Sequence, residues 1–216
     1  MLVSPSLLSA DFGNLEREMQ WFNQSEADFL HLDLMDGVFV PNLSFGFPVM
    51  EGVAPLCRKP LDVHLMVVNP ESYLDRVAKI PGVRYFNFHY EATKNPVALL
   101  QLVRQKGFPT AITISPDTPV DVLRPLVPLL DMVLIMSVYP GFGGQKFIPA
   151  AVQRVCRLRE MADEAGHPLL IEVDGGVNET TGKMLAEAGA DILVAGSYVF
   201  RAENPAEKVA LLKSLS

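Results

Sequence analysis

The sequence predicts a single (β/α)₈ TIM barrel, and three observations carry that expectation. Eight short apolar or β-branched runs recur along the 216 residues. Stretches with helical spacing of apolar residues separate them. Polar residues suited to metal and proton chemistry stand where several of the runs end.

The runs at 3–8, 29–34, 61–66, 85–89, 110–114, 132–138, 169–173 and 192–195 have the length and composition of strands. Residues 132–136, MVLIM, are apolar without interruption, the mark of a strand buried on both faces of a parallel sheet. Between the runs, Leu15, Met19 and Phe22 recur at helical spacing, as do Val152, Val155, Leu158 and Met161. A doubly wound open sheet competes with the barrel, but it usually has fewer strands. Its GxGxxG fingerprint is also missing after the first run. No Ser/Gly/Pro-rich linker or charge block divides the chain, so 1–216 reads as one domain.

Composition narrows the function. With 49% hydrophobic and 20% charged residues the chain reads as an ordinary soluble protein. A net charge of −7 argues against nucleic acid and against an anionic membrane surface as partners, since both demand clustered Lys and Arg. The longest apolar run, 132–138, falls far short of the roughly 20 residues that cross a bilayer. Residues 1–10 show no basic leader before an apolar segment, so a cytoplasmic protein is expected. Cys57 and Cys156 lie in no CxxC pattern and are expected to be small buried hydrophobes in a reducing compartment.

Barrels carry their chemistry at the C-terminal ends of the strands. The second run ends in HLDLM (31–35), the third in DVHLM (62–66) and the seventh in EVDGG (172–176). The period-two alternation of a strand turns His31, Asp33 and Met35 to one side, the barrel interior. His31, Asp33, His64 and Asp174 would converge there from three strands. Such a set is hard to explain as packing, because buried carboxylates need a partner or a metal. Two imidazoles and two carboxylates balance one divalent ion. Mixed nitrogen and oxygen ligation suits Zn²⁺, Fe²⁺, Mn²⁺ or Co²⁺ without choosing among them. Asp62 and Glu172 are expected to alternate away from the site, as barrel-exterior or supporting residues. Met35, Met66 and Met136 read either as core filling or as an apolar cap over a planar intermediate.

The negative charge leaves open how a phosphate would be held. Gly141, Phe142, Gly143 and Gly144 follow the sixth run, Gly175 and Gly176 the seventh, Gly196 and Ser197 the eighth. Glycines let backbone N–H groups approach an anion closely, and barrels often bind phosphate after strands 7 and 8. The 141–147 loop is also a candidate lid, and Lys146 on it reads as a solvated lysine.

The blocks SPSLLSADF (4–12), HLDLMDGVFVPN (31–42), DVHLMV (62–67), PGFGGQKF (140–147), EVDGG (172–176) and AGS (195–197) resemble the ribulose-phosphate 3-epimerase family, in family order and over nearly the whole chain. The resemblance implies a divalent metal held by His31, Asp33, His64 and Asp174. It implies that D-ribulose 5-phosphate and D-xylulose 5-phosphate interconvert through an enediolate, with Asp33 and Asp174 as base and acid. Ser6, His64, Gly141, Phe142, Gly143, Gly144, Gly175, Gly176, Gly196 and Ser197 would contact the substrate and its phosphate. The three methionines would form the cap, and a homo-oligomer is expected. Tyr139 and Tyr198 depart from the family pattern, which keeps D-allulose 6-phosphate open as the substrate. Two further readings compete with an epimerase: a related barrel lyase or decarboxylase, and a non-catalytic phosphosugar-binding barrel.

Overall fold

Eight parallel strands alternate with helices in a computed structural model that describes residues 1–215. The strands are β1 (Leu2–Pro5), β2 (Leu30–Met35), β3 (Leu61–Met66), β4 (Val83–His89), β5 (Thr110–Ile114), β6 (Met132–Met136), β7 (Leu170–Asp174) and β8 (Ile192–Ala195). The helices are α1 (Leu15–Gln24), α2 (Phe47–Val53), α3 (Leu74–Val77), α4 (Pro96–Gln105), α5 (Ala150–Glu164), α6 (Glu179–Glu187), α7 (Ser197–Phe200) and α8 (Pro205–Lys213). The ladder runs β1-β8-β7-β6-β5-β4-β3-β2. The last seam, between β1 and β2, is held by a parallel bridge between Ser6 and His31. The Asp28 N–H also donates to the Val3 carbonyl at 2.9 Å. This is the expected TIM barrel, nearly closed. Among the described residues no helix is long and apolar enough to cross a membrane.

Two expected elements change. The fifth crossover has no α-helix; two 3₁₀ turns, Val120–Leu123 and Val127–Leu129, take its place. Pro119, Pro125 and Pro128 punctuate that stretch, and each removes an N–H that an α-helix would use. The first strand stops at Pro5 rather than at residue 8, because Ser6 caps a 3₁₀ turn at Leu7–Ser9 by accepting from the Leu8 N–H.

The barrel interior is layered. Tyr85, Ala111, Met132 and Ile192 are buried together at the strand starts and plug that end. Above them the β2–β3 register sets His31 beside Asp62, Asp33 beside His64, and Met35 beside Met66. The alternate residues, such as Leu32, Val63, Phe86 and Val173, face outward into the main core with Phe22, Val155 and Leu158 of the helices.

That layering corrects the expectation for Asp62 and Glu172. Both are buried inside the barrel, each about 1% exposed. They precede His64 and Asp174 by two residues, and a period of two returns a side chain to the same face. They flank His31 one layer below Asp33, His64 and Asp174, in the supporting role that was the other expectation for them. Cys156 is also not the buried hydrophobe expected: it is exposed on α5, while Cys57 is half-buried, and both thiols are free.

Candidate metal centre and substrate cleft

Four donor atoms, one each from His31, Asp33, His64 and Asp174, lie within 4.8 Å of one another. His31 Nε2 is 3.3 Å from His64 Nδ1 and 3.4 Å from Asp33 Oδ1. His64 Nδ1 is 3.2 Å from Asp33 Oδ1 and 4.0 Å from Asp174 Oδ2. Ligands about 2.1 Å from one cation stand about 3.0–3.4 Å apart in octahedral or tetrahedral arrangement; His31, Asp33 and His64 already hold that spacing, and Asp174 stands further out at 4.0 Å from His64, so the four together fit a divalent ion. Orientation supports the fit. His31 Nδ1 lies 2.6 Å from Asp62 Oδ2. With its proton held there, the lone pair of Nε2 is free to face the cluster.

The two aspartates differ sharply in ionisation. Burial raises the Asp33 pKa, but the charges and hydrogen bonds of His31 and His64 outweigh it and hold the carboxyl well below its usual range. Ser6 Oγ adds a hydrogen bond to Asp33 Oδ2 at 2.6 Å. Asp174 has no comparable donor, and burial together with the Asp33 charge pushes it up to about 7. Glu172 is raised well above its usual value by burial and by the neighbouring Asp62.

A cleft of about 570 Å³ opens over this centre. Ser6, Asp33, Met35, Met66, Met136 and Asp174 line it. So do Gly141, Phe142, Gly143, Gly144, Gly175, Gly176, Gly196 and Ser197. His31 and His64 lie beneath the floor, fully buried. The methionines arrive from two apolar patches, Met35 and Met66 with Val40, and Met136 with Leu134 and Val138.

Backbone geometry makes the glycines specific at 175 and 176. Gly175 has φ +120°, and a Cβ there would stand 2.4 Å from Val138 Cγ2. Gly176 has φ +64°, and its Cβ would stand 2.7 Å from the Phe147 backbone nitrogen. The strand 6 and strand 7 loops are thus pressed together where only bare backbone fits. The Asn178 side chain already accepts from the first N–H groups of α6, at Thr180 and Thr181. Gly196, before α7, has no side chain to do the same. The first turn of α7 therefore lacks the side-chain cap that α6 has.

Sequence reasoning missed several lining residues, among them Ser9, Asn178 and Arg201, whereas Tyr198, marked as a departure from the family pattern, does line the cleft. Lys146 and Arg201 are exposed cations at the rim. Tyr139 also lines the cleft and donates its hydroxyl to Asp117 at 2.9 Å. His89 carries no motif of its own, and only its place at the end of the fourth run marks it. It is fully buried, with Nε2 2.9 Å from His64 Nε2.

Comparison with known proteins agrees with this geometry. The family model described as "Ribulose-phosphate 3 epimerase family" matches residues 2–200. A protein of Mycobacterium bovis named ribulose-phosphate 3-epimerase is 43% identical over 212 residues, covering 98% of this chain and 91% of its own. The Bacillus subtilis protein of the same name is 45% identical over 199 residues, covering 92% and 91%. Among solved structures, orotidine 5'-phosphate decarboxylase from Pyrococcus horikoshii superposes with a TM-score of 0.68. It shares 14% identity and covers 100% of this chain and 99% of its own, which is a likeness of fold. With a family match over residues 2–200 and relatives above 40% identity, the chain belongs to the ribulose-phosphate 3-epimerase family.

Proposed function

We propose that this enzyme interconverts D-ribulose 5-phosphate and D-xylulose 5-phosphate by inverting C3. The observation that carries the reading is the buried His/Asp quartet opening on a glycine-lined cleft. His31, Asp33, His64 and Asp174 would hold a divalent cation, which when bound would supply positive charge to polarise the ketone and acidify the neighbouring C–H. Ionised Asp33 accepts the C3 proton from one face, and Asp174 delivers a proton to the other. The reverse reaction exchanges these roles. Ser6 orients Asp33 through its hydrogen bond and touches the substrate from the cleft floor. Met35, Met66 and Met136 exclude water above the reacting carbon. Gly141, Phe142, Gly143, Gly144, Gly175, Gly176, Gly196 and Ser197 surround the substrate and its phosphate.

The test is a coupled assay in D₂O after chelation and refilling with Zn²⁺, Fe²⁺, Mn²⁺ or Co²⁺ in turn. Activity is expected to vanish on chelation and to return with at least one ion, with deuterium entering at C3. Product free of deuterium would reject proton abstraction there. Equal or greater kcat/KM on D-allulose 6-phosphate would reassign the substrate.

The protein is also proposed to be homo-oligomeric. Val38 and Leu43, both in the loop after β2, are 73% and 71% exposed and would be covered if that loop met a second copy. Sedimentation velocity should show a species larger than the 23.7 kDa chain, and a purely monomeric profile would reject this.

A further inference from the structure

The interior holds a chain of groups that the proposed mechanism leaves unused, running from His64 away from the quartet. His64 Nε2 faces His89 Nε2 at 2.9 Å, and His89 Nδ1 lies 3.2 Å from Glu91 Oε2. Both imidazoles are fully buried, with ring centroids 5.0 Å apart and planes 23° from parallel, so the rings meet nearly edge to edge. Two ring nitrogens at that distance share one proton, so one donates and the other accepts. For His64 Nδ1 to offer a lone pair to a cation, the proton must sit on His64 Nε2. His89 Nε2 then accepts it, which places the His89 proton on Nδ1, where Glu91 can accept in turn.

The far end of the chain is fixed. Glu91 Oε1 accepts from the Ser115 N–H at 2.8 Å and from the Thr118 hydroxyl. Arg154 on α5 donates to the carbonyls of Ser115 and Thr118 at 2.7 and 3.0 Å, which anchors the loop that holds Glu91. Burial raises the Glu91 pKa, but the hydrogen bonds from His89 and Thr118 outweigh it and pull it down to about 2, so an acceptor is always present.

We infer that His89 and Glu91 are positioning residues for the metal centre: a carboxylate–imidazole–imidazole relay that fixes the tautomer of His64 and turns its Nδ1 lone pair toward the bound cation. The inference rests on the ligand role proposed above for His64. On the opposite side of the centre Asp62 does the same for His31 directly, so both imidazole ligands are oriented by a buried carboxylate, one at first hand and one through an intervening ring.

The test combines Zn²⁺ affinity, by chelator competition, with nitrogen-15 NMR of the histidine rings. In the Zn²⁺-loaded wild type, His64 should be protonated at Nε2 and bare at Nδ1, with the His89 proton on Nδ1. His89→Phe removes the acceptor and should weaken Zn²⁺ binding by about 10- to 100-fold, the usual effect of losing a ligand's orienting partner. His89→Gln presents an amide oxygen to His64 Nε2–H and should restore affinity to within a few-fold of wild type. Wild-type Zn²⁺ affinity in His89→Phe, failure of His89→Gln to restore it, or a His89 proton on Nε2 would overturn the relay. Absence of Zn²⁺ binding by the wild type would overturn the metal centre itself, so the two failures are distinguishable. The NMR measurement needs no variant and decides the tautomer even if His89→Phe folds poorly.

Discussion

Asp174→Asn is expected to abolish turnover while leaving the metal-free protein folded and, at pH 8, more stable than wild type. Loss of a positioned acid or base removes about 10²- to 10⁴-fold, and loss of a metal ligand adds to it. The stability effect follows from the raised pKa. Between pH 3.8 and about 7 the folded protein retains a proton on Asp174 that the unfolded chain has lost, so its stability falls as pH rises through that window. At about 1.36 kcal/mol per pKa unit the buried charge costs on the order of 4 kcal/mol once fully ionised. Asparagine cannot ionise, so the variant should show a flatter melting profile across the same window. Asp33→Asn should also be inactive but less stable, because Asp33 is ionised and accepts from Ser6 at 2.6 Å. Replacing a charged acceptor there costs about 1–3 kcal/mol. Metal content must accompany each rate, since both residues are placed to bind metal and to move protons. Near-normal turnover by a metal-loaded Asp174→Asn protein would sink the two-carboxylate scheme.

Gly176→Ala is expected to lower kcat/KM by about 100-fold, mainly through KM, as expected when binding common to ground and transition states is removed. Its φ of +64° disfavours any side chain, and the new Cβ would press on the Phe147 backbone, which has no rotamer through which to retreat. The 141–147 loop must move, and the proposed phosphate cradle with it. Backbone strain of this kind costs about 1–3 kcal/mol, so thermal stability should fall as well. Gly144→Ala is the control: φ is +73°, but nothing lies within 4 Å of its Cβ. It should lose stability with a much smaller change in KM. Unchanged KM in Gly176→Ala would place the phosphate elsewhere.

Much of this site is legible in the chain. His31, Asp33 and Met35 share a face because strands alternate, and Asp174 stands at a strand end because the apolar run stops there. The glycine clusters are equally visible, since a run of glycines after a buried strand has few structural uses. The same period-two rule, applied from His64 and Asp174 backwards, places Asp62 and Glu172 inside, against the expectation that they turn away from the site. The missing fifth helix is also within reach of the sequence, as Pro119, Pro125 and Pro128 interrupt that stretch.

The pairing of His64 with His89 is of another kind. The β3–β4 register slips between Leu61 and Asp62: Leu61 pairs with Val83, but Asp62 pairs with Tyr85. One extra residue, Arg84, is absorbed there. The slip brings Asn87 opposite His64 and turns Tyr85, Asn87 and His89 inward; an unbroken register would have set outward-facing Phe86 beside His64.

The sequence by itself therefore determined the strands, the helical spacing and the set of ligand types at the strand ends, because those depend on local periodicity. Tertiary structure alone decided the distances among His31, Asp33, His64 and Asp174, the opposite ionisation of the two aspartates, and the relay through His89 to Glu91. Those depend on inter-strand register and burial, which arise only when distant segments close the barrel.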